Sequence, residues 1–162
     1  MALLIGYDGS ADARCAIEHA GPLFPGRAAV VLTVWEGFAE ILARSGGGSA
    51  IPSMDFIQVD DASQRSALER ADEGCALARD AGLDAEPLIA QRELTVWDTI
   101  VGEAARVDAD AIVLGNRGLT GVKSMLLGSV SRGVLQHADR PVLVVPAAEV
   151  ARERSERRDN DA

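Results

Sequence analysis

The chain has little of what metal, redox or thiol chemistry requires. Among its 162 residues there are only two cysteines and two histidines. Cys15 and Cys75 lie far apart on segments that read as helices, without Cys-x-x-Cys or Cys-x-x-His spacing. They are therefore expected to be buried free thiols and not a zinc or redox pair. His19 falls on the solvent-leaning side of the first helical pattern and His137 at the end of the fourth, which suits surface or helix-end roles. No nucleophile elbow, His and Cys pair or zinc-ligand spacing is present, so no catalytic residue is expected. Long hydrophobic runs are also missing, and none approaches the roughly 18 residues that a membrane-spanning helix needs. Positive charge is scarce, with 16 Lys and Arg against 25 acids and a net charge of −9. Non-specific nucleic-acid binding is thereby disfavoured, and neither a nucleic-acid nor a membrane partner is expected. A basic leader is absent too: Met1 opens directly onto an apolar strand, from which a cytoplasmic, unprocessed chain is expected.

Apolar side chains make up 48% of the chain, enough for one domain with a genuine core. Five apolar runs, 2–7, 28–35, 85–89, 111–114 and 142–145, alternate with helical patterns. That alternation predicts an α/β fold with a parallel sheet. The first helix is expected over 10–20, capped by Ser10, with Ala13, Ala16, Ile17 and Ala20 inward and Gly21 and Pro22 ending it. A second is expected over 62–81 with Leu68, Ala71, Cys75 and Ala78 along one side, stopping at Gly82. A third, over 96–107, is capped by Thr95 and turns Trp97, Ile100, Val101 and Ala104 inward. Residues 36–60, with the triple glycine 46–48 and Pro52, form a long connection with a short helix expected over 38–43. It reads either as a lid at the carboxyl end of the sheet or as simple disorder. The domain is expected to span 1–147, followed by a charged tail, 148–162, that frays or else extends as a solvated helix.

The chemistry concentrates in 111–145, where the apolar run AIVLG opens into a loop with Gly115, Gly118 and Gly128, then Ser129 and a short helix. Glycine lets a backbone approach a ligand closely, and a helix starting near Ser129 offers unpaired N–H groups and a positive dipole end. An anion, most naturally a phosphate, suits that place. The hydroxyls of Ser129 and Ser131 could donate to it, and Arg117, Lys123 and Arg132 could supply countercharge. A sheet ordered 3-2-1-4-5 opens a crevice between the first and fourth strands. Asp8, just after the first strand, would project there to hold a ribose or base edge, or serve as a turn carboxylate. Other nucleotide motifs fail: Val122 precedes Lys123 where a Walker A loop needs glycine, and Asp8 holds the second glycine's place in a dinucleotide fingerprint.

The segment GNRGLTGVKSMLLGSVSRGVLQHADRPVLVV resembles the carboxy-terminal signature of the universal stress protein family, and LIGYDGSADARCAIEHA resembles its first strand and helix. The likeness extends in pattern over 2–146. It implies a single-domain, open five-stranded parallel sheet, order 3-2-1-4-5, with helices on both faces, Rossmann-like and of the adenine nucleotide alpha hydrolase type. The Gly-x2-Gly-x9-Gly-Ser spacing matches the family's ATP-binding branch. On that resemblance Gly115, Gly118, Gly128, Ser129 and Val130 wrap the ribose and phosphates, and Asp8 and the Val34 main chain hold the nucleoside. Mg²⁺ accompanies the phosphates. The last strand, Pro141 through Val145, pairs with its copy in a homodimer. The implied role is a nucleotide-dependent stress sensor or adaptor. A phosphoryl- or adenylyl-transfer enzyme and a nucleotide-independent scaffold remain the alternatives.

Overall fold

Uninterrupted aliphatic runs form strands that are buried on both faces, because only a sheet covered by helices on each side can use them. The computed structural model describes residues 2–38, 41, 56–118, 127–152 and 155. It contains five parallel strands: β1 (Ala2–Gly6), β2 (Ala28–Trp35), β3 (Asp84–Gln91), β4 (Ala111–Gly115) and β5 (Val142–Val145), in the order β3-β2-β1-β4-β5. Among the described residues the helices that lie between them are α1 (Ala11–Leu23), α2 (Phe56–Asp80), α3 (Val96–Arg106) and α4 (Ser129–His137). The expected fold class and strand order are both observed.

Strand alternation sorts the core into two layers. Leu3, Ile5, Ala29, Val31 and Val113 pack with Ala13, Ala16, Ile17, Cys75 and Ala78 of α1 and α2. Leu4, Val30, Leu32, Ile112 and Leu114 point the other way, to Ile100 and Ala104 of α3 and Val134 of α4. Each fully buried aliphatic side chain stabilises the fold by roughly 1.5–3 kcal/mol. Cys15 and Cys75 are buried free thiols, as expected, and burial pushes both thiol pKa values up.

Helix starts follow their caps. Ser10 Oγ accepts from Ala13 N–H at 3.2 Å, and Thr95 Oγ1 accepts from Asp98 N–H at 3.2 Å. Helix ends and inward faces differ in part from the expectation. α1 runs through Gly21 and Pro22 to Leu23. Proline's fixed φ suits a helix, so its ring removes one hydrogen bond in the last turn without stopping the chain. α2 begins at Phe56, earlier than the expected residue 62. Its inward position is Ala67, 1% exposed, whereas Leu68 is 44% exposed. Trp97 and Val101 of α3 are half-buried. The tail does not fray at once: residues 148–152 are helical and Val150 is buried.

One buried polar group gives the fold a pH signature. Tyr7, at the end of β1, donates its hydroxyl to Glu73 Oε1 at 3.0 Å, and burial, then that hydrogen bond, push its pKa up to about 12. Because the folded state holds this proton more tightly than the unfolded chain, stability is intact below pH 10 and falls as pH rises toward 12. We expect urea midpoints to drop across that window in the native protein, and Tyr7→Phe to flatten the drop.

Candidate functional site

The strand order determines where a ligand can enter. β1 feeds α1 on one face and β4 feeds α4 on the other, so their connections diverge at the carboxyl edge and leave a crevice. On the β1 side the chain turns through Asp8, Gly9 and Ser10. Asp8 Oδ1 accepts from Ser10 N–H at 2.9 Å, and Gly9 takes φ +82°. Asp8 is thus a turn carboxylate, and it also reaches the crevice: a Cβ on Gly118 would lie 2.7 Å from Asp8 Oδ2. The two predicted residues, far apart in sequence, are packed against each other.

β2 contributes the next wall. The β1–β2 register ends at Gly6 and Leu32, with one further bond from Tyr7 N–H to Leu32 O at 2.8 Å. Ladder alternation then turns the Val34 main-chain groups toward the side where β1 has already left. Thr33, 1% exposed, donates its hydroxyl to Tyr7 O at 2.9 Å and ties the two strand ends together. The stem of the long connection is also tied: Phe38 N–H donates to Asp60 Oδ1 at 2.7 Å, and Arg92 pairs with Glu36 at 2.7 Å. The proposed lid lies mostly outside the described residues, as do most of the expected helix over 38–43, Lys123 and loop residues 119–126.

The ends of the glycine-rich loop are pinned together. Asn116 N–H donates to Val145 O at 2.8 Å, and Asn116 O accepts from Gly128 N–H at 2.8 Å. The Ser131 hydroxyl departs from the expectation. It is 2.9 Å from Asn116 O and 3.2 Å from Gly115 O, and the residue is 3% exposed, so that hydroxyl closes the loop and is not turned toward a ligand. Arg117 likewise has a prior engagement. Its Nε lies 3.6 Å from Asp12 Oδ2, and its side chain is 17% exposed. Gly115 rests on the first turn of α1, where an added Cβ would come within 2.6 Å of the Asp12 carbonyl carbon.

The amino ends of α1 and α4 flank the crevice between β1 and β4, and they are not equivalent. α1 carries Ser10 as a bonded cap and Asp12 in its first turn, so its positive end is already answered. α4 starts from Gly128, with no side-chain cap bond and no acid in its first turn. The first backbone bond back into α4 is Arg132 N–H to Gly128 O, so the amides of Ser129, Val130 and Ser131 have no acceptor within the helix. An anion at a helix amino end gains about 0.3–1 kcal/mol from the dipole, and α4 is where it can do so. Arg132 is exposed on this same turn.

A description of the universal stress protein family matches residues 1–146 of this chain. The chain belongs to that family. Among universal stress proteins it is 28% identical to YxiE of Bacillus subtilis over 145 residues, covering 88% of this chain and 97% of the relative. The hypothetical protein MJ0577 superposes with a TM-score of 0.72 at 23% identity, covering 90% of this chain and 94% of the other. The Archaeoglobus fulgidus universal stress protein in complex with dAMP gives 0.60 at 22% identity, with 90% and 97% covered. The family protein from Arabidopsis thaliana with AMP bound gives 0.62 at 18% identity, with 92% and 94% covered.

Within this universal stress protein, Asp12, Thr33 and Asn116 make contacts that tie the crevice together, and the sequence does not single them out for it. Thr33 carried a signal, as a lone hydroxyl in an aliphatic strand. Asp12 carried none, since its partner Arg117 is 105 residues away. The histidines are structural. His19 Nδ1 lies 2.8 Å from Cys15 O, and His137 stacks on Trp97 with ring centroids 4.2 Å apart. No group of three or more metal-ligating side chains forms among the described residues, and none of the described helices is long and apolar enough to cross a membrane.

Proposed function

We propose that this universal stress protein binds ATP in the crevice between β1 and β4 and acts as a cytoplasmic, nucleotide-dependent adaptor in the stress response. The observation that carries the reading is the uncapped amino end of α4 beside the Asp8 and Gly118 contact. Asp8 and the Val34 main chain would take the nucleoside, Gly115 and Gly118 would allow the ribose and first phosphate to lie close, and the Ser129, Val130 and Ser131 amides would receive the phosphate chain. Relatives holding dAMP and AMP support adenine as the base. Mg²⁺ would accompany a triphosphate, for which the Asp8 carboxylate and Ser129 hydroxyl are suitable hard oxygen donors. The output is conformation and partner choice, with hydrolysis slow at most, because no described side chain at the crevice is arranged as a general base.

β5 lies at the sheet edge with Val142, Leu143 and Val144 only half-buried. Pairing of Pro141 through Val145 with a second copy would cover it in a homodimer. Calorimetric titration of nucleotide-stripped protein tests the first claim: micromolar binding of ATP with Mg²⁺ is expected, and absence of heat with ATP and AMP alike overturns it. Light scattering at micromolar concentration should give twice the chain mass, and a monomer mass removes the homodimer.

A further inference from the structure

The geometry points to Asp12 as a positioning residue of the nucleotide site, acting through the peptide unit that joins Asn116 to Arg117. This inference rests on the proposed nucleotide function, and it concerns how α1 sets the loop that α4 begins from.

The Asn116–Arg117 peptide is a rigid plane, and it is gripped on both sides. Its N–H, that of Arg117, donates to Asp12 Oδ2 at 3.1 Å. Its carbonyl, that of Asn116, accepts from Gly128 N–H at 2.8 Å and from the Ser131 hydroxyl at 2.9 Å. One plane thus links the first turn of α1 to the N-cap and first turn of α4, the two helix ends that flank the crevice. Rotating it on the α1 side must displace the bonds on the α4 side, because both ends belong to one plane.

Asp12 is suited to this task. It is 7% exposed, and a buried carboxylate must be matched by donors. The same oxygen that accepts the Arg117 amide faces Arg117 Nε at 3.6 Å, too long for a hydrogen bond but within ion-pair range. The directional contact is therefore the one to the backbone. Ser10 already caps α1, so α1 itself does not need Asp12 as a cap. Gly115, pressed against the Asp12 main chain, brings the loop close enough for the contact. The role complements the choice between helix ends described above: the carboxylate that answers the dipole of α1 also orients the backbone from which the open end of α4 is built.

The test combines nucleotide titration with amide exchange on the unliganded protein. In Asp12→Ala, ATP and AMP should bind about tenfold or more weakly at a temperature where the variant is fully folded. Exchange of the Arg117 and Gly128 amides should accelerate while β1 and β4 amides keep their protection. In Asp12→Asn the side-chain oxygen can still accept from the Arg117 amide, and affinity should return to within about threefold of the native protein. A merely structural Asp12 would lower the melting temperature of both variants and leave affinity at low temperature unchanged. Affinity of Asp12→Ala within twofold of native, or unchanged exchange at Arg117 and Gly128, overturns the inference. Should Asp12→Ala fail to fold, Asp12→Ser, polar but too short to reach the Arg117 amide, takes its place with the same expected losses. If the native protein binds neither nucleotide, the proposed function fails, and exchange alone then decides whether Asp12 orders the loop.

Discussion

Gly118→Ala should weaken ATP binding by about 10- to 100-fold while leaving the fold intact. The added Cβ would sit 2.7 Å from Asp8 Oδ2, nearer than a methyl and a carboxylate oxygen can stand. Asp8 cannot simply retreat, because its other oxygen holds the Ser10 amide at 2.9 Å and so shapes the turn after β1. Either that turn opens or the backbone around Gly118 lifts from the crevice. Overpacking of this kind costs roughly 1–3 kcal/mol, and each 1.4 kcal/mol is about a factor of ten in affinity. Gly118 is itself exposed and does not adopt positive φ, so alanine adds no core clash and no backbone strain. The melting temperature of the unliganded variant should fall by no more than about 2–4 °C per kcal/mol of strain that the exposed turn retains. Calorimetric titration beside a thermal melt separates the two quantities. Affinity within threefold of native would mean that Asp8 and Gly118 do not flank the bound nucleotide.

Gly21→Ala should have the largest effect on stability. Replacing glycine by alanine inside a helix ordinarily stabilises by up to about 1 kcal/mol, and position 21 reverses that sign. A Cβ there would lie 2.1 Å from the Ala81 backbone oxygen and 2.7 Å from its Cβ, at the end of α2. Backbone cannot rotate away as a long side chain can. The residue also precedes Pro22, whose ring disfavours helical dihedrals for any residue with a Cβ. We expect a net loss of about 2 kcal/mol or more, which at roughly 2–4 °C per kcal/mol for a chain of this size lowers the melting temperature by about 4–8 °C. Gly102 is the control. It lies on the exposed side of α3 with nothing within 4 Å of an added Cβ, and Gly102→Ala should raise the melting temperature by about 1–4 °C. A rise for Gly21→Ala as well would show that α1 and α2 do not meet at Ala81.

The same contact explains why the end of α1 was misread. Gly21 next to Pro22 looks like a stop signal, yet the glycine is there to let α2 close in and the proline is tolerated in the last turn. Leu68 was assigned inward and Ala67 was not, because the long polar helix α2 has a narrow apolar stripe in which one residue of phase moves a leucine into solvent. The site was legible wherever a residue type acts by local rule. Gly118 and Gly128 permit close backbone approach, Ser10 and Thr95 cap helices, and Asp8 ends a strand. It was illegible wherever a side chain is committed across the chain. The Ser131 hydroxyl and the Arg117 side chain look from sequence like phosphate partners, and each holds the loop together from within.

The sequence by itself determined the five strands, their parallel arrangement and the place of the glycine-rich loop, because hydrophobic periodicity and glycine spacing are local and each connection between strands carries a helix. Only the tertiary structure decided which of the two helix ends at the crevice lacks a side-chain cap bond. That choice depends on Asp12 of α1 meeting the Arg117 amide across 105 residues and on Gly128 bringing no cap to α4. Such pairings are set by how the whole sheet registers its strands, which no local pattern encodes.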